Sequence, residues 1–274
     1  MVEILRGTWV IAYRELLRFV QERSRIFSSL GMPLLFLIIF GAGFNRIIGP
    51  VMPGVDYIQF MYPGIIAMLV FMNSIFSGLS VVWDREFGFL KEVLVAPLSR
   101  GGIVLGKAVG AAVVAVGQSL LMLVLAPLLG VKLTPLLVLK LIPLLLLLSV
   151  SLSGLGLLVA SRMRSQQGFQ MVVQIIVFPM LFVSGVFFPV NNVPLWLEVL
   201  SKVNPLTYGV DAVRQIFLNG FLVPPSGMPA GTMPSVLGVN VLGHTTTIIE
   251  DVAIVGLLGV VLMVLAVWFF SRQE

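Results

Sequence analysis

Apolar residues dominate the chain in long blocks, and short polar runs punctuate them. Six blocks are long enough for a membrane-spanning helix, which needs about 20 predominantly apolar residues. They are Ile26–Asn45 with Pro33 near its start, Tyr57–Trp83, Ala108–Val131, Leu141–Ser161, a stretch near Gln170–Phe188, and Val252–Ser271. The fourth is expected to begin near Pro135, with Lys140 snorkelling outward. Before the first block, residues 1–28 read as an amphipathic helix. Leu5, Trp9, Ala12, Leu16 and Val20 follow helical spacing on one face, and Arg14, Arg18 and Arg25 line another. A basic face, an apolar face and a Trp suit the membrane interface. A helix packed on a partner protein is the other reading.

The longest charged interruption is Val82–Lys107. Asp84 can cap a short helix starting at Arg85. Phe87, Leu90 and Leu94 share its apolar face, Arg85, Glu86, Lys91 and Glu92 are polar, and Pro97 ends it. Such a helix suits a groove on another protein or the lipid surface. These residues alone do not separate the two.

A second irregular region is Pro189–Asp251. Trp196, Leu197, Val199 and Leu200 are too apolar for a free loop. Asn204-Pro205-Leu206-Thr207 starts a helix, Val210, Val213 and Phe217 follow at helical spacing, and Asn219-Gly220 stops it. Asp211 and Arg214 are spaced to pair on its surface. The pattern predicts two short helices that enter the outer leaflet and return, or else lie on its surface. Phe221–Thr247, rich in Pro, Gly and Thr, reads as an outer loop.

Composition agrees with a lipid-embedded chain: 58% hydrophobic and 11% charged over 274 residues, against about 25% charged in soluble domains. Absence of Cys excludes disulfides and thiolate metal sites, and a lone His244 argues against a histidine metal centre. The net charge of +5 reflects topology, with no nucleic-acid partner expected. Of the seventeen Lys and Arg, twelve fall in segments on the N-terminal side of the membrane and five on the other. The positive-inside rule then puts both termini in the cytoplasm. The eight charges in the first 25 residues argue against a cleavable signal peptide.

Catalytic constellations do not emerge. Gly101, Gly106 and Lys107 match a phosphate-binding loop, but Ala108 stands where Ser or Thr would be needed, and the run opens a span. Carboxylates avoid the span centres, which argues against proton- or sodium-driven transport. The Ser-Leu-Ser-Gly-Leu-Gly run at 151–156 suits close backbone contact between helices. Asn73 and Gln174 could line a path with Phe71, Phe76, Phe178 and Phe182, or could simply serve helix packing.

Taken together, Asp84-Arg85-Glu86, Gly88, Leu90, Glu92, Leu94, Pro97-Leu98-Ser99-Arg100 and Asn204-Pro205-Leu206-Thr207-Tyr208 with Asp211, Ala212 and Arg214 resemble the permease subunit of ABC-2-type exporters, in the daunorubicin/nodulation-factor branch. The resemblance covers nearly the whole chain. It implies one all-α transmembrane domain over residues 1–274: six spans, an interfacial N-terminal helix, a cytoplasmic coupling helix at 84–97 and outer re-entrant helices within 189–251. It also implies that Arg85, Glu86, Phe87, Leu90, Glu92, Leu94 and Pro97 engage a separate soluble P-loop ATPase, which binds ATP and Mg²⁺. The chain itself would hold no cofactor and would not be an enzyme. Pro205, Tyr208, Asp211 and Arg214 would belong to an outer gate. Two permease copies and two ATPases would form the working unit, with the pathway between the permeases, in the cytoplasmic membrane of a prokaryote. The apolar span surfaces suit an amphipathic, drug-like or lipid-linked substrate. An undecaprenyl-linked polysaccharide, or a regulatory scaffold without flux, are the rival readings.

Overall fold

A computed structural model describes residues 2–21, 23–48, 57–87, 100–129, 131, 133–190, 193–218, 238–241 and 244–271. Among these the helices are α1 (Val2–Gln21), α2 (Arg23–Ile48), α3 (Tyr57–Glu86), α4 (Arg100–Leu125), α5 (Pro135–Arg162), α6 (Gln166–Val183), α7 (Leu195–Val203), α8 (Pro205–Leu218) and α9 (Ile248–Ser271). A 3-10 turn, Ala126–Leu129, follows α4. Five of the helices, α3, α4, α5, α6 and α9, are long and apolar enough to cross a membrane. Within α2 a shorter apolar stretch runs Leu30–Gly41. The protein is therefore a helical membrane protein. Among the described residues it departs from all-α in an antiparallel hairpin pairing Asn240–Val241 with His244–Thr245, inside the stretch read as an outer loop.

α5 is the central post, with α3 on one side and α9 on the other. Between helices in lipid the hydrophobic effect gives little, so close packing and hydrogen bonds must hold them. The 151–156 run supplies the first. A side chain at Gly78 of α3 would run into the backbone of Gly156, and one at Gly156 would run into Ile75. These two helices therefore cross with backbone against backbone, as the small-residue run predicts. On the other side of α5, Gly154 meets Leu262 and Met263 of α9. Hydrogen bonds add to this: Ser74 and Ser149 hydroxyls lie 2.8 Å apart, and the Tyr62 hydroxyl donates to the Met122 carbonyl at 2.6 Å.

Helix boundaries follow their caps. Thr134 caps α5, so it begins at Pro135 as expected, and Lys140 is exposed. Ser165 caps α6, which lies a few residues earlier than the expected 170–188. It ends where Ser184 and Gly185 turn the chain, with Gly185 at φ +83°. Thr247 and Glu250 form a capping box for α9: the Glu250 carboxylate accepts the Thr247 N–H at 2.8 Å. The T-x-x-E signal was legible in the sequence.

Two boundaries correct the reading of the charged stretch. Asp84 does not cap a new helix at Arg85; α3 continues through Glu86. Nor does the next span wait for Ala108; α4 already begins at Arg100, so Lys107 lies inside a helix. The G-x-x-x-x-G-K run is helical, not a loop. Asp84 and Lys107 answer each other's charge across the two helices, so neither need end the helix it lies in.

α1 packs along α4. The face it buries holds Gly7, Ile11, Ala12 and Phe19, drawn close by Gly106, where a side chain would strike Ile11. Of the expected apolar stripe, Ala12 joins this face and Leu16 is half-buried. Trp9 and Val20 remain exposed, alongside Tyr13 and Leu17.

Candidate functional site

The sequence-derived site residues fall in three places. The first is the foot of α3. Here Asp84 is buried, and its Oδ2 receives Lys107 Nζ at 2.8 Å and Arg14 Nη2 at 3.3 Å. Lys107 Nζ also donates to the Ser80 hydroxyl at 2.8 Å and lies 3.5 Å from Glu15 Oε1. The Lys107 side chain is only 2% exposed. Arg85 Nη1 donates to the Met163 carbonyl at 2.7 Å and to that of Ser161 at 3.3 Å. Glu86 Oε2 accepts the Gln166 backbone N–H at 3.0 Å. Phe87 stands 60% exposed beside Trp83, at 5.5 Å between ring centroids. Leu90, Glu92, Leu94 and Pro97 lie outside the described residues.

The second place is the opposite end of α3, around α8. Asn204 caps α8 through its side-chain oxygen, which accepts the Leu206 N–H at 3.0 Å, and Pro205 follows as the first helical residue. Tyr208 donates to the Lys202 carbonyl at 2.8 Å. α8 is enclosed by α3, α5 and α9. Asp211 and Arg214 are accordingly buried, not on a helix surface, and they form no ion pair with each other. Each has gone to a different neighbour. Arg214 Nη2 donates to the Gly185 carbonyl at 2.6 Å, its Nε to the Phe60 carbonyl at 3.4 Å, and its guanidinium lies 3.9 Å from the Phe60 ring centroid. Asp211 Oδ1 accepts the Gly238 N–H at 3.1 Å, and its Oδ2 accepts Gln215 Nε2 at 2.7 Å. Gln215 also donates to Asp251 Oδ2 at 3.1 Å. α8 thus fastens the turn after α6, the hairpin and the start of α9 to the head of α3. α7, by contrast, exposes Leu195, Trp196, Val199 and Leu200.

The third is the suggested path, which divides. Phe71 is enclosed in the core. Asn73 is half-buried and donates to the Gln118 side chain and to the Leu69 carbonyl. Phe76 is half-buried. On α6, Gln174, Phe178 and Phe182 are exposed, and so is Gln170 one turn before Gln174. The structure therefore does not gather these six around one opening within a single chain.

Sequence reasoning missed Lys107, Gln215 and Asp251. Nothing in the local pattern marks a Lys as the partner of an Asp 23 residues earlier. Among the described residues no group of His, Cys, Asp and Glu is arranged to hold a metal ion.

A helical bundle of apolar spans with polar clamps at both ends of α3 fits a membrane transport subunit. The chain belongs to the ABC-2 type transporter family, whose match spans residues 6–218. It is 32% identical over 207 residues to a putative transport permease, ycf38, of Cyanophora paradoxa, covering 73% of this chain and 71% of that one. It is 34% identical over 167 residues to the probable multidrug ABC transporter permease YbhR of Escherichia coli K12, covering 61% of this chain and 45% of YbhR. Nodulation protein J of Rhizobium meliloti is 30% identical over 202 residues, 73% of this chain and 76% of its own length. The protein is thus a multi-pass ABC-2 transport permease.

Proposed function

We propose that this chain is the permease subunit of an ATP-driven exporter that moves an amphipathic, drug-like or lipid-linked molecule outward. A separate soluble ABC ATPase binds ATP and Mg²⁺ and supplies the work. Two ATPases and two permease copies make the unit, in a prokaryotic cytoplasmic membrane with both termini inside. α2 supplies the first of six spans. The observation that carries the reading is the foot of α3, taken with the family. Residues 88–99 leave α3 next to an exposed Phe87 and re-enter at Arg100, and the helices on both sides are joined by the Asp84–Lys107 pair. A connection with two fixed roots can pass a push from the ATPase into the bundle. Phe87, Leu90 and Leu94 fill the partner's groove, Glu92 sets register by charge, and Pro97 ends the docking helix.

At the other end, Pro205, Tyr208, Asp211 and Arg214 belong to the outer gate, because α8 ties three elements to the head of α3. α7 and α8 enter the outer leaflet, where the apolar surface of α7 meets lipid. The exposed amides of Gln170 and Gln174 support a path along α6. An amide facing hydrocarbon without a partner is costly, whereas a face shared with a second copy and a passing amphipathic molecule satisfies it. Phe178 and Phe182 supply the apolar side of that path.

The test is reconstitution with the candidate ATPase. Leu90→Asp is expected to insert normally and to lose ATP-driven transport of an amphipathic dye. Normal transport by that variant would overturn the coupling assignment. Stable ATPase binding with no flux of dye or labelled lipid would instead identify a regulatory scaffold.

A further inference from the structure

Asp84, Arg85 and Glu86 are consecutive, so on a helix their side chains point about 100° apart. Each reaches a different helix end or flank. Asp84 holds Arg14 of α1 and Lys107 of α4. Arg85 donates to two carbonyls at the C-terminal end of α5. These belong to the last turn and the cap, where carbonyls lack intrahelical partners and a cation is favoured. Glu86 accepts from the first N–H of α6, the complementary case: an orphan donor at a helix start, where an anion is favoured. The short α5–α6 connection, residues 163–165, is therefore gripped on both sides by adjacent residues of α3.

We infer that Asp84-Arg85-Glu86 is a clamp joining the foot of α3 to α1, α4, α5 and α6, so that a displacement of the 88–99 connection moves these helices together. Arg85 and Glu86 are then positioning residues inside the permease and not contacts to the ATPase, which deepens the coupling proposal and rests on it. The charge balance agrees. Arg14, Glu15, Asp84 and Lys107 form a neutral set with its charges turned on one another. Arg85 and Glu86 each direct hydrogen bonds at backbone groups of the same chain.

The two assignments of Glu86 predict opposite results for a conservative change. A clamp needs only an acceptor for the Gln166 N–H, which a Gln side-chain oxygen supplies. A contact with a cation on the ATPase needs the negative charge. Glu86→Gln, Glu86→Ala, Arg85→Lys and Arg85→Ala are compared in the full complex reconstituted in vesicles. All four are expected to co-purify with the ATPase at wild-type stoichiometry and to retain ATP hydrolysis. Glu86→Gln should transport at close to the wild-type rate. Glu86→Ala should transport about tenfold less per ATP, the size expected for losing one charge-assisted hydrogen bond, and Arg85→Ala, which loses two, at least as much less. Arg85→Lys should fall between, because both bonds leave one nitrogen, Nη1, whose donors an ammonium can replace, but from a shorter side chain without the planar guanidinium that fixes its position. Loss of co-purification in both Glu86 variants would overturn the clamp by assigning Glu86 to the partner's surface. Wild-type transport per ATP in both Ala variants would overturn it equally.

A second measurement needs no ATPase. The chain contains no Cys, so spin labels can be placed through Phe87→Cys and Gln167→Cys, both at exposed positions. Glu86→Ala should broaden the label–label distance distribution and Glu86→Gln should leave it narrow. Glu86 is exposed, so its replacement does not disturb the core. An unchanged distribution in Glu86→Ala would refute the clamp. A broadened one beside normal transport by Leu90→Asp would keep the clamp and discard the coupling proposal.

Discussion

The two ends of α3 solve the same problem differently. Both must place charge close to a bundle whose surroundings are apolar, and Phe60 and Asp84 are separated by roughly 36 Å of helix. At the foot, charges are answered by charges on other helices: Asp84 by Lys107 and Arg14, Lys107 also by Glu15. Arg14 is 45% exposed there, so water shares the load. At the head, Arg214 is answered by two carbonyls and an aromatic face, and Asp211 by a backbone N–H and an amide. The foot joins helices that run side by side. The head wedges one short helix into the bundle and leaves it almost no contact with the outside. A foot built of discrete pairs can be broken one pair at a time, whereas a buried wedge fails as a unit.

That contrast orders the expected effects. Arg214→Met should be the most damaging, because it leaves the buried Gly185 and Phe60 carbonyls without their charged donor. A loss of about 3–5 kcal/mol is expected from two hydrogen bonds to a charged group, read as a collapse of folded yield and of the thermal midpoint in detergent. Lys107→Met should come next, at about 3 kcal/mol, since it removes the buried cation that Asp84 and Glu15 share and leaves both to the half-exposed Arg14. Adding Asp84→Asn should recover part of that loss, and strict additivity in this double-mutant cycle would show that the pair is not coupled. If Lys107→Met proved worse than Arg214→Met, the ranking of head over foot would be reversed.

Smaller effects sharpen the comparison. Gly156→Val should cost about 1–3 kcal/mol by forcing α3 and α5 apart at their crossing. Because α5 links foot and head, this variant should also loosen both ends, which hydrogen exchange at Asp84 and Arg214 would detect. Thr247→Ala removes one half of the α9 capping box and should cost about 1 kcal/mol. Arg14→Ala should cost no more than about 1 kcal/mol, being half-exposed and only one of two cations on Asp84. A large effect of Arg14→Ala on transport with little effect on thermal stability would mark α1 as part of the moving unit.

Much of this was legible in the residues. The α5 start at Pro135, the α8 start at Asn204-Pro205 and the close crossing at 151–156 each rest on a local signal, and each stands where that signal put it. The α9 start was equally legible through Thr247 and Glu250 but lay hidden behind the rule that charges end a span. The foot was not legible, because its pairs join residues 23 and 70 positions apart.

The sequence by itself determined how many apolar stretches there are and roughly how long each runs, since length and hydropathy are properties of a segment alone. Only the tertiary structure decided where α3 stops and α4 starts, that Lys107 sits inside a helix, and that Asp211 and Arg214 look away from each other. In each case the outcome turns on which counter-charge, carbonyl or backbone N–H stands opposite. A side chain's partner across the bundle is set by how helices pack, and a packing partner leaves no periodic trace in the segment it meets.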